Sequence, residues 1–370
     1  MNKLKWCQNC LSMSTRPRIN FDKRGFCNAC RWMEKKKKLD WSKRIEILNK
    51  ILDQNRKSDG NYDCIVPVSG GKDGSYVAYN LKNKFDMNPL CITVTPPLPL
   101  ELGEKNLKSF INSGYSHISI NPPFHSMQLL NKIGFIEMGF PYYGWLTAIK
   151  SAVINMAIKM GISLIFYAED GEVEYGGSQE TIDNPFYDVD YIKKIYLEQG
   201  YQKVINKSKL DKNDLFFFNF PDIKTVINKR LKITHWSYFE NWDPYRNYLI
   251  AKEHCGLKES EDSNSGTFTN FSQNDQSLYP LHTYLMYLKF GFGRANQDAS
   301  IEIRRGAMDR SQAINLVNLY DGLYPTDFIE IYLDYYKMTK KEFNAVLDKW
   351  ANKNLFEKID NMWSPKFKIV

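Results

Sequence analysis

An α/β fold built on a doubly wound parallel sheet, with a small cysteine-rich module ahead of it and a helical region behind, is what this sequence predicts. Three observations lead there. Between residues 61 and 180, short apolar runs alternate with segments of helical period. Ahead of them, four cysteines fall in two close pairs within residues 7–30. Beyond residue 278, helix-period segments follow one another with no strand between them.

The first 33 residues hold those cysteines, several turn-formers and little apolar periodicity. Residues 40–56 read as a helix, because Ile45, Leu48, Ile51 and Leu52 recur at helical spacing. Ser58, Asp59, Gly60 and Asn61 then read as a loop. Strands are expected over 64–68, 90–94, 117–120 and 162–167, and helices over 73–84, 101–112 and 145–160. The segment 173–275 is rich in Tyr, Phe, Asn and Asp and shows neither period, so it carries no assignment. Helices resume over 278–290, 309–320, 325–337 and 340–351, the last with Thr339 and Glu342 in capping-box positions. The division that follows is a cysteine module over 1–34, a linker helix over 35–60, a sheet core over 61–180 and a mixed and helical substrate or partner region over 181–370.

A chain of 370 residues with 43% hydrophobic content has room for one large catalytic domain plus a small module. Its formal charge of +8 suits an anionic partner such as a nucleotide, a sugar acid or RNA. Much of that charge sits in Lys35, Lys36, Lys37 and Lys38, which are expected to form a solvated linker. No apolar run approaches the ~18 residues that cross a bilayer, and the N-terminus lacks the apolar core of a signal peptide. A cytoplasmic protein without a membrane anchor is expected, and in that reducing compartment its seven cysteines should not form structural disulfides.

Cys7, Cys10, Cys27 and Cys30 form C-x2-C-x16-C-x2-C. Tetrahedral zinc takes four soft ligands, and two close pairs on separate knuckles supply them, as in a zinc ribbon. Gly25 can provide the tight turn before the second knuckle. Four free thiols in a self-sufficient core are the alternative, but some 30 residues bury too little surface to fold unaided. An iron–sulfur cluster is a further rival. A complete four-cysteine site leaves no open coordination position, so this metal is expected to be structural.

The segment from Cys64 to Ser75 runs from an apolar strand through Ser69, Gly70 and Gly71 into a helix that begins near Asp73. Glycines let the backbone approach phosphate oxygens, and the helix N-terminus adds unpaired N–H groups and positive dipole. Lys72 can neutralise charge, and Ser69 and Ser75 can donate hydroxyl hydrogen bonds. The spacing is not that of a Walker A loop, and a purely structural glycine turn is the alternative reading.

Ser69-Gly70-Gly71-Lys72-Asp73 resembles the SGGxDS motif of the PP-loop, or N-type ATP pyrophosphatase, enzymes. The chain departs from it at Gly74, which displaces the serine to Ser75 and leaves the role of Ser75 in doubt. The resemblance narrows when three further stretches are added: the N-terminal pairs ending in GFCNAC, the run Glu169-Asp170-Gly171-Glu172 with Gly176-Gly177, and the late KFGFGRANQDASIEIRRGAMDR. Together these resemble the N-acetyl sugar amidotransferases of surface-polysaccharide and pseudaminic or legionaminic acid biosynthesis, over nearly the whole chain. The resemblance implies a PP-loop sheet in which Ser69, Gly70, Gly71, Lys72, Asp73, Gly74 and Ser75 hold the pyrophosphate of ATP. It also implies adenylation of the acetamido oxygen of an N-acetylated sugar, followed by replacement of that oxygen by ammonia to give an acetamidino group.

Mg2+ normally bridges nucleotide phosphates and is held by carboxylates. Asp73, Glu169, Asp170 and Glu172 are the candidates, at the strand ends where parallel sheets bind ligands. A solvated acidic loop is the alternative. Lys289, Arg294, Arg304, Arg305 and Arg310 lie in a stretch that also holds Gly291, Gly293 and Gly306. Arginine forks suit phosphate or sugar carboxylate, so Lys289, Arg294 and Arg304 join the nucleotide-binding candidates, with helix-surface charge as the alternative. His117, His125, His235, His254 and His282 share no metal spacing and are read as structural.

A built-in glutaminase needs a nucleophilic cysteine. Position 2 is Asn2, and Cys64, Cys91 and Cys255 lack the glycine-flanked elbow of the triad type. Ammonia must then come from solution or, as the resemblance implies, from a separate glutaminase with a cyclase-like companion. The aromatic-rich stretch from Tyr187 to Tyr248 is a candidate docking surface, although ordinary core is the favoured reading. Two rivals remain: a PP-loop tRNA thiolase, and a non-catalytic zinc-ribbon module. Nucleic acid is not the expected substrate, because the chain carries neither a thiolase-type cysteine in its sheet domain nor further C-x2-C pairs.

Overall fold

The computed structural model describes residues 4–369. Asn2 therefore lies outside the described residues. The cysteine module leads into α1 (Asn28–Lys36) and α2 (Trp41–Asp53). The sheet domain then alternates as expected: β1 (Cys64–Pro67), α3 (Lys72–Asn83), β2 (Pro89–Val94), α4 (Glu101–Asn112), β3 (His117–Ile120), α5 (Phe124–Met138), α6 (Tyr143–Met160) and β4 (Leu164–Tyr167). The formerly unassigned segment supplies α7 (Gly171–Tyr175), β5 (Phe186–Tyr187), α8 (Val189–Tyr191), α9 (Tyr201–Ser208), α10 (Ile223–Asn228), β6 (Lys232–His235) and α11 (Pro244–Cys255). Five helices close the chain, α12 (Leu278–Phe290), α13 (Arg294–Arg305), α14 (Arg310–Tyr320), α15 (Ile329–Tyr336) and α16 (Lys340–Trp350), followed by a hairpin of β7 (Phe356–Ile359) and β8 (Met362–Pro365). The capping box of Thr339 and Glu342 opens α16.

The main sheet has six strands in the order β3-β2-β1-β4-β6-β5. All pairings are parallel except β5 with β6. Successive residues of β1 point to opposite faces, as strand geometry requires. Ile65 joins a core with α6, whereas Cys64 and Val66 join a second core with α2 and α3. Helices therefore cover both faces of the sheet. Such strands read as unbroken apolar runs, and every residue of β2 is buried. Strand order reverses between β1 and β4, so a crevice opens at their C-terminal ends.

Several elements depart from the sequence reading, among them α1, the β7–β8 hairpin and the three that follow. The sheet continues past residue 180 into β6, whose Lys232, Thr234 and His235 break the apolar run that would have announced it. Helix α5, not among the expected helices, carries Gly134 in its interior. Here Gly134 lies so close to α6 that a Cβ would meet Tyr143 at 2.2 Å. Helix α13 buries mostly small residues, Ala295, Ala299 and Ser300 among them, and so shows no apolar stripe.

The cysteine module is locked to the rest of the chain. Asn28 donates to the Gly177 carbonyl at 2.7 Å, and the Trp32 indole donates to Glu174 at 2.9 Å. The lysine run is only partly the solvated linker expected: Lys36 is buried and pairs with Glu174 at 2.8 Å, and Lys35 pairs with Asp183. Lys37 and Lys38 are exposed. Among the described residues, no helix is long and apolar enough to cross a membrane.

Candidate active site

The loop between β1 and α3 is shaped by three glycines. Gly70 turns the chain with φ 78°, and a Cβ there would meet the backbone of Leu107 on α4 at 2.3 Å. Gly74 lies against the Pro67 carbonyl, where a Cβ would approach to 2.9 Å. Gly71 is the N-cap of α3 and offers no side-chain acceptor, so the first N–H groups of the helix stay available to a ligand. Lys72, nearly buried, contacts the Asp73 carboxylate, and Asn247 of α11 donates to the other Asp73 oxygen at 3.2 Å. Asp73 is thus held facing the crevice rather than free to rotate.

Ser69, Gly71, Lys72, Asp73 and Gly74 line a cavity of about 270 Å³, and Glu169 and Arg294 share it. Glu169 leaves the end of β4 on the other side of the switch point and accepts from the Tyr175 hydroxyl at 3.3 Å. Burial and the neighbouring Asp73 charge push its carboxyl up. Burial opposes the charge of Arg294, but Asp298, at 2.9 Å, and Glu169 hold it firmly protonated. The result is two carboxylates and two cations converging on one glycine-rich helix start. Asp73 and Glu169 offer hard oxygens whose mutual repulsion a divalent cation would relieve, so these two fit Mg2+.

The structure separates other candidates from this cavity. Asp170 turns back to cap α7, accepting from the backbone of Glu172 at 3.1 Å and from the Thr181 hydroxyl. Glu172 is taken by Arg18 of the cysteine module through two 2.8 Å bonds and by the Ser178 N–H at 2.7 Å. Ser75 is fully buried, with a hydroxyl that has no partner, and does not line the cavity. Lys289 donates to the Met138 carbonyl at 3.0 Å, and Arg304 donates to the Glu174 carbonyl at 3.2 Å beside the cysteines. Arg305 pairs with Asp243, and Arg310 donates to the Cys7 carbonyl. Of the late basic residues named above, Arg294 is the one that shares the cavity with the glycine-rich loop.

The sequence reading missed a wall of this cavity. Asp275 lies in the segment without assignment, and burial pushes it up to about 6 against the pull of its Tyr279 and Ser69 hydrogen bonds. Its backbone carbonyl accepts from Leu100 at 3.1 Å, and Gly103 leaves room for it on α4. Tyr279, His282, Thr283 and Met286 of α12 complete the wall. A signal was available in the spacing of those four residues, which is that of one helix face.

The three remaining cysteines are buried, and burial pushes all their thiols up, Cys255 to about 11. The aromatic stretch from Tyr187 to Tyr248 is mostly core, with Phe216 and Tyr245 as exposed exceptions. Cys7, Cys10, Cys27 and Cys30 bring their sulfurs within 4.8 Å of one another, all buried, and form a four-cysteine metal site. Knuckle turns place them: Cys7 N–H donates to the Ser12 carbonyl at 2.9 Å, and Gly25 adopts φ 75°.

Residues 265–368 match the family model described as "LPS biosynthesis protein WbpG-like, C-terminal domain". Both α12 and α13, and with them Arg294, fall in that region. An uncharacterized protein, MJ1599 of Methanocaldococcus jannaschii, is 36% identical over 89 residues. That match covers 24% of this chain and 32% of the relative, so it spans about a third of that protein. The solved U34-tRNA thiolase NcsA from Methanococcus maripaludis, determined with its [4Fe-4S] cluster, aligns over 82% of this chain and 86% of its own. Its TM-score is 0.32 and its identity 13%. The strand order, with its switch point beside the loop after β1, makes this a doubly wound α/β protein whose C-terminal region matches the WbpG-like domain.

Proposed function

We propose that this chain is an ATP-dependent amidotransferase that converts the acetamido group of an N-acetylated sugar to an acetamidino group, releasing AMP and pyrophosphate. The observation that carries the reading is the shared cavity. The glycine-rich loop between β1 and α3 faces a wall contributed by the region matching the WbpG-like lipopolysaccharide-biosynthesis domain.

An amide oxygen is a poor leaving group. Its lone pair attacks the α-phosphorus of ATP, the bond to the bridging oxygen breaks, and pyrophosphate leaves into the N–H groups of the α3 N-terminus. Lys72 and Arg294 offset the charge that develops. Asp73 and Glu169 would hold Mg2+, which supplies charge neutralisation between the phosphates when bound. Ammonia then adds to the imidate carbon, AMP departs with the former acetamido oxygen, and the extra proton passes to a base. Asp275, pushed up to about 6, is suited to accept it near neutral pH.

Zinc is the proposed occupant of the cysteine site. Bonds of about 2.3 Å at tetrahedral angles set sulfurs about 3.8 Å apart. Cys7 and Cys30 stand at 3.6 Å, and Cys10 and Cys27 at 3.7 Å. An iron–sulfur cube sits between its thiolates and holds them farther apart than one ion does. The burial of Cys64, Cys91 and Cys255 supports an outside source of ammonia, a separate glutaminase with a cyclase-like companion, in the cytoplasm where ATP and reduced thiols are available.

The test offers the purified chain ATP, Mg2+ and ammonium with either a panel of acetamido sugars or tRNA. Sugar-dependent pyrophosphate is expected. Pyrophosphate with tRNA alone, or ADP and phosphate in any mixture, would refute the proposal.

A further inference from the structure

We propose that the face of α12 carrying Tyr279, His282, Thr283 and Met286 is the seat of the sugar ring. This rests on the amidotransferase reading and adds to it the residues that recognise the sugar. The four positions are spaced i, i+3, i+4 and i+7, so their side chains share one helix face, and all four line the cavity that holds the phosphate loop.

On a packed helix such a stripe is ordinarily apolar. Here its two central members are polar, and both carry buried atoms with no hydrogen-bond partner within the protein: His282 Nδ1 and Thr283 Oγ1. Thr283 is only 2% exposed. A buried polar group left unpaired costs about 1–3 kcal/mol, and native proteins rarely leave two side by side. Paired with the hydroxyls of a bound ring, both are satisfied.

The surroundings specify an uncharged, hydroxyl-bearing ligand rather than an acid. Burial, with Lys289 and Arg294 nearby, lowers His282 to about 3, so its imidazole is neutral and suited to a hydroxyl partner. Arg294 already has its carboxylate in Asp298. The rings of Tyr142 and Tyr279 pack edge to face at 5.4 Å, with His282 against Tyr142 at 4.9 Å. Tyr279 and Met286 are half-buried and leave apolar surface beside the two polar groups. A pyranose matches this alternation, with C–H faces for the tyrosine and methionine and hydroxyls for the pair between them. From that seat an acetamido oxygen shares the cavity with Ser69 and Lys72 and has access to the phosphorus of a loop-bound nucleotide.

The experiment uses the full-length chain with Mg2+ and a non-hydrolysable ATP analogue. Ligand-observed saturation-transfer NMR is run with a panel of N-acetylhexosamines, free and nucleotide-linked. Transfer to ring protons is expected for the parent protein. Thr283→Val and His282→Phe keep size but remove the polar atoms, and each should weaken sugar affinity by roughly 5- to 10-fold. Binding of the ATP analogue serves as the folding control. No transfer to any sugar, or equal affinity in both variants, would overturn the assignment and mean that the two atoms are satisfied by water alone. Sugar binding as expected, but no pyrophosphate when ATP and ammonium replace the analogue, would sink the amidotransferase reading and leave the seat standing.

Discussion

Three carboxylates in this cavity do different work because their neighbours differ. Asp73 is clamped by Lys72 and Asn247, Glu169 faces Asp73 across the switch point, and Asp275 stands on the wall before α12. If Asp73 and Glu169 share a cation, Glu169→Gln should cut AMP formation by about 100-fold or more and raise the Mg2+ concentration needed for half-maximal rate. Pyrophosphate release titrated against Mg2+ measures this, and an unaltered Mg2+ dependence would remove Glu169 from the metal. Asp275 makes a prediction about stability. Its carboxyl rises from 3.8 unfolded to about 6 folded, so the protonated form is the one folding favours. Its contribution is complete below the unfolded value and is lost as pH rises through about 6. Asp275→Asn should therefore melt roughly 2–4 °C above the parent at pH 8 and converge with it near pH 4. Melting curves that stay parallel across that range would show that Asp275 is not strained by its charge.

At the scale of elements, the cysteine module acts as a brace. Arg310 at the start of α14 donates to the Cys7 carbonyl, Leu11 packs with Ala299 of α13, and Arg18 reaches Glu172 on α7. Helix α13 carries Arg294 into the cavity, and its N-terminus is held by Asp321, which accepts from Gly293 at 2.8 Å. Cys27→Ser should release the metal, lower the melting temperature by several degrees and reduce activity through a loosened α13, although no cysteine lines the cavity. Metal analysis showing one zinc in the parent and none in the variant is the expected result; iron in the parent would replace the zinc assignment. The same elements explain what the sequence could and could not reveal. Strands β1, β2 and β4 were legible because burial on both faces makes them apolar runs, whereas β3, at the sheet edge, keeps Ser119 exposed. The Ser69–Asp73 loop was legible because phosphate binding needs only consecutive backbone. The carboxylates after β4 were not separable by sequence: adjacent residues on a tight turn point in different directions, and only Glu169 faces inward. The α12 wall was invisible in its role because it joins the loop by a return of the chain from just over 200 residues away.

At the scale of the whole molecule, the cavity unites two parts of the chain with different origins of order. One is the switch point of a parallel sheet, where any such fold offers a crevice. The other is the region 265–368, which resembles lipopolysaccharide-biosynthesis proteins and closes that crevice from outside the sheet. On the proposed function, the first would supply the phosphate chemistry and the second would select what is activated. The central claim is that the oxygen attacking ATP belongs to the sugar's acetamido group. The most direct measurement supplies the chain with ATP, ammonium and an acetamido sugar whose carbonyl oxygen is a heavy isotope, then examines the AMP by mass spectrometry. We expect the label in the phosphate of AMP and an unlabelled nitrogen in its place on the sugar. AMP free of label, with the heavy oxygen still on the sugar, would mean that water or another acceptor attacks ATP and that the proposed adenylation does not occur.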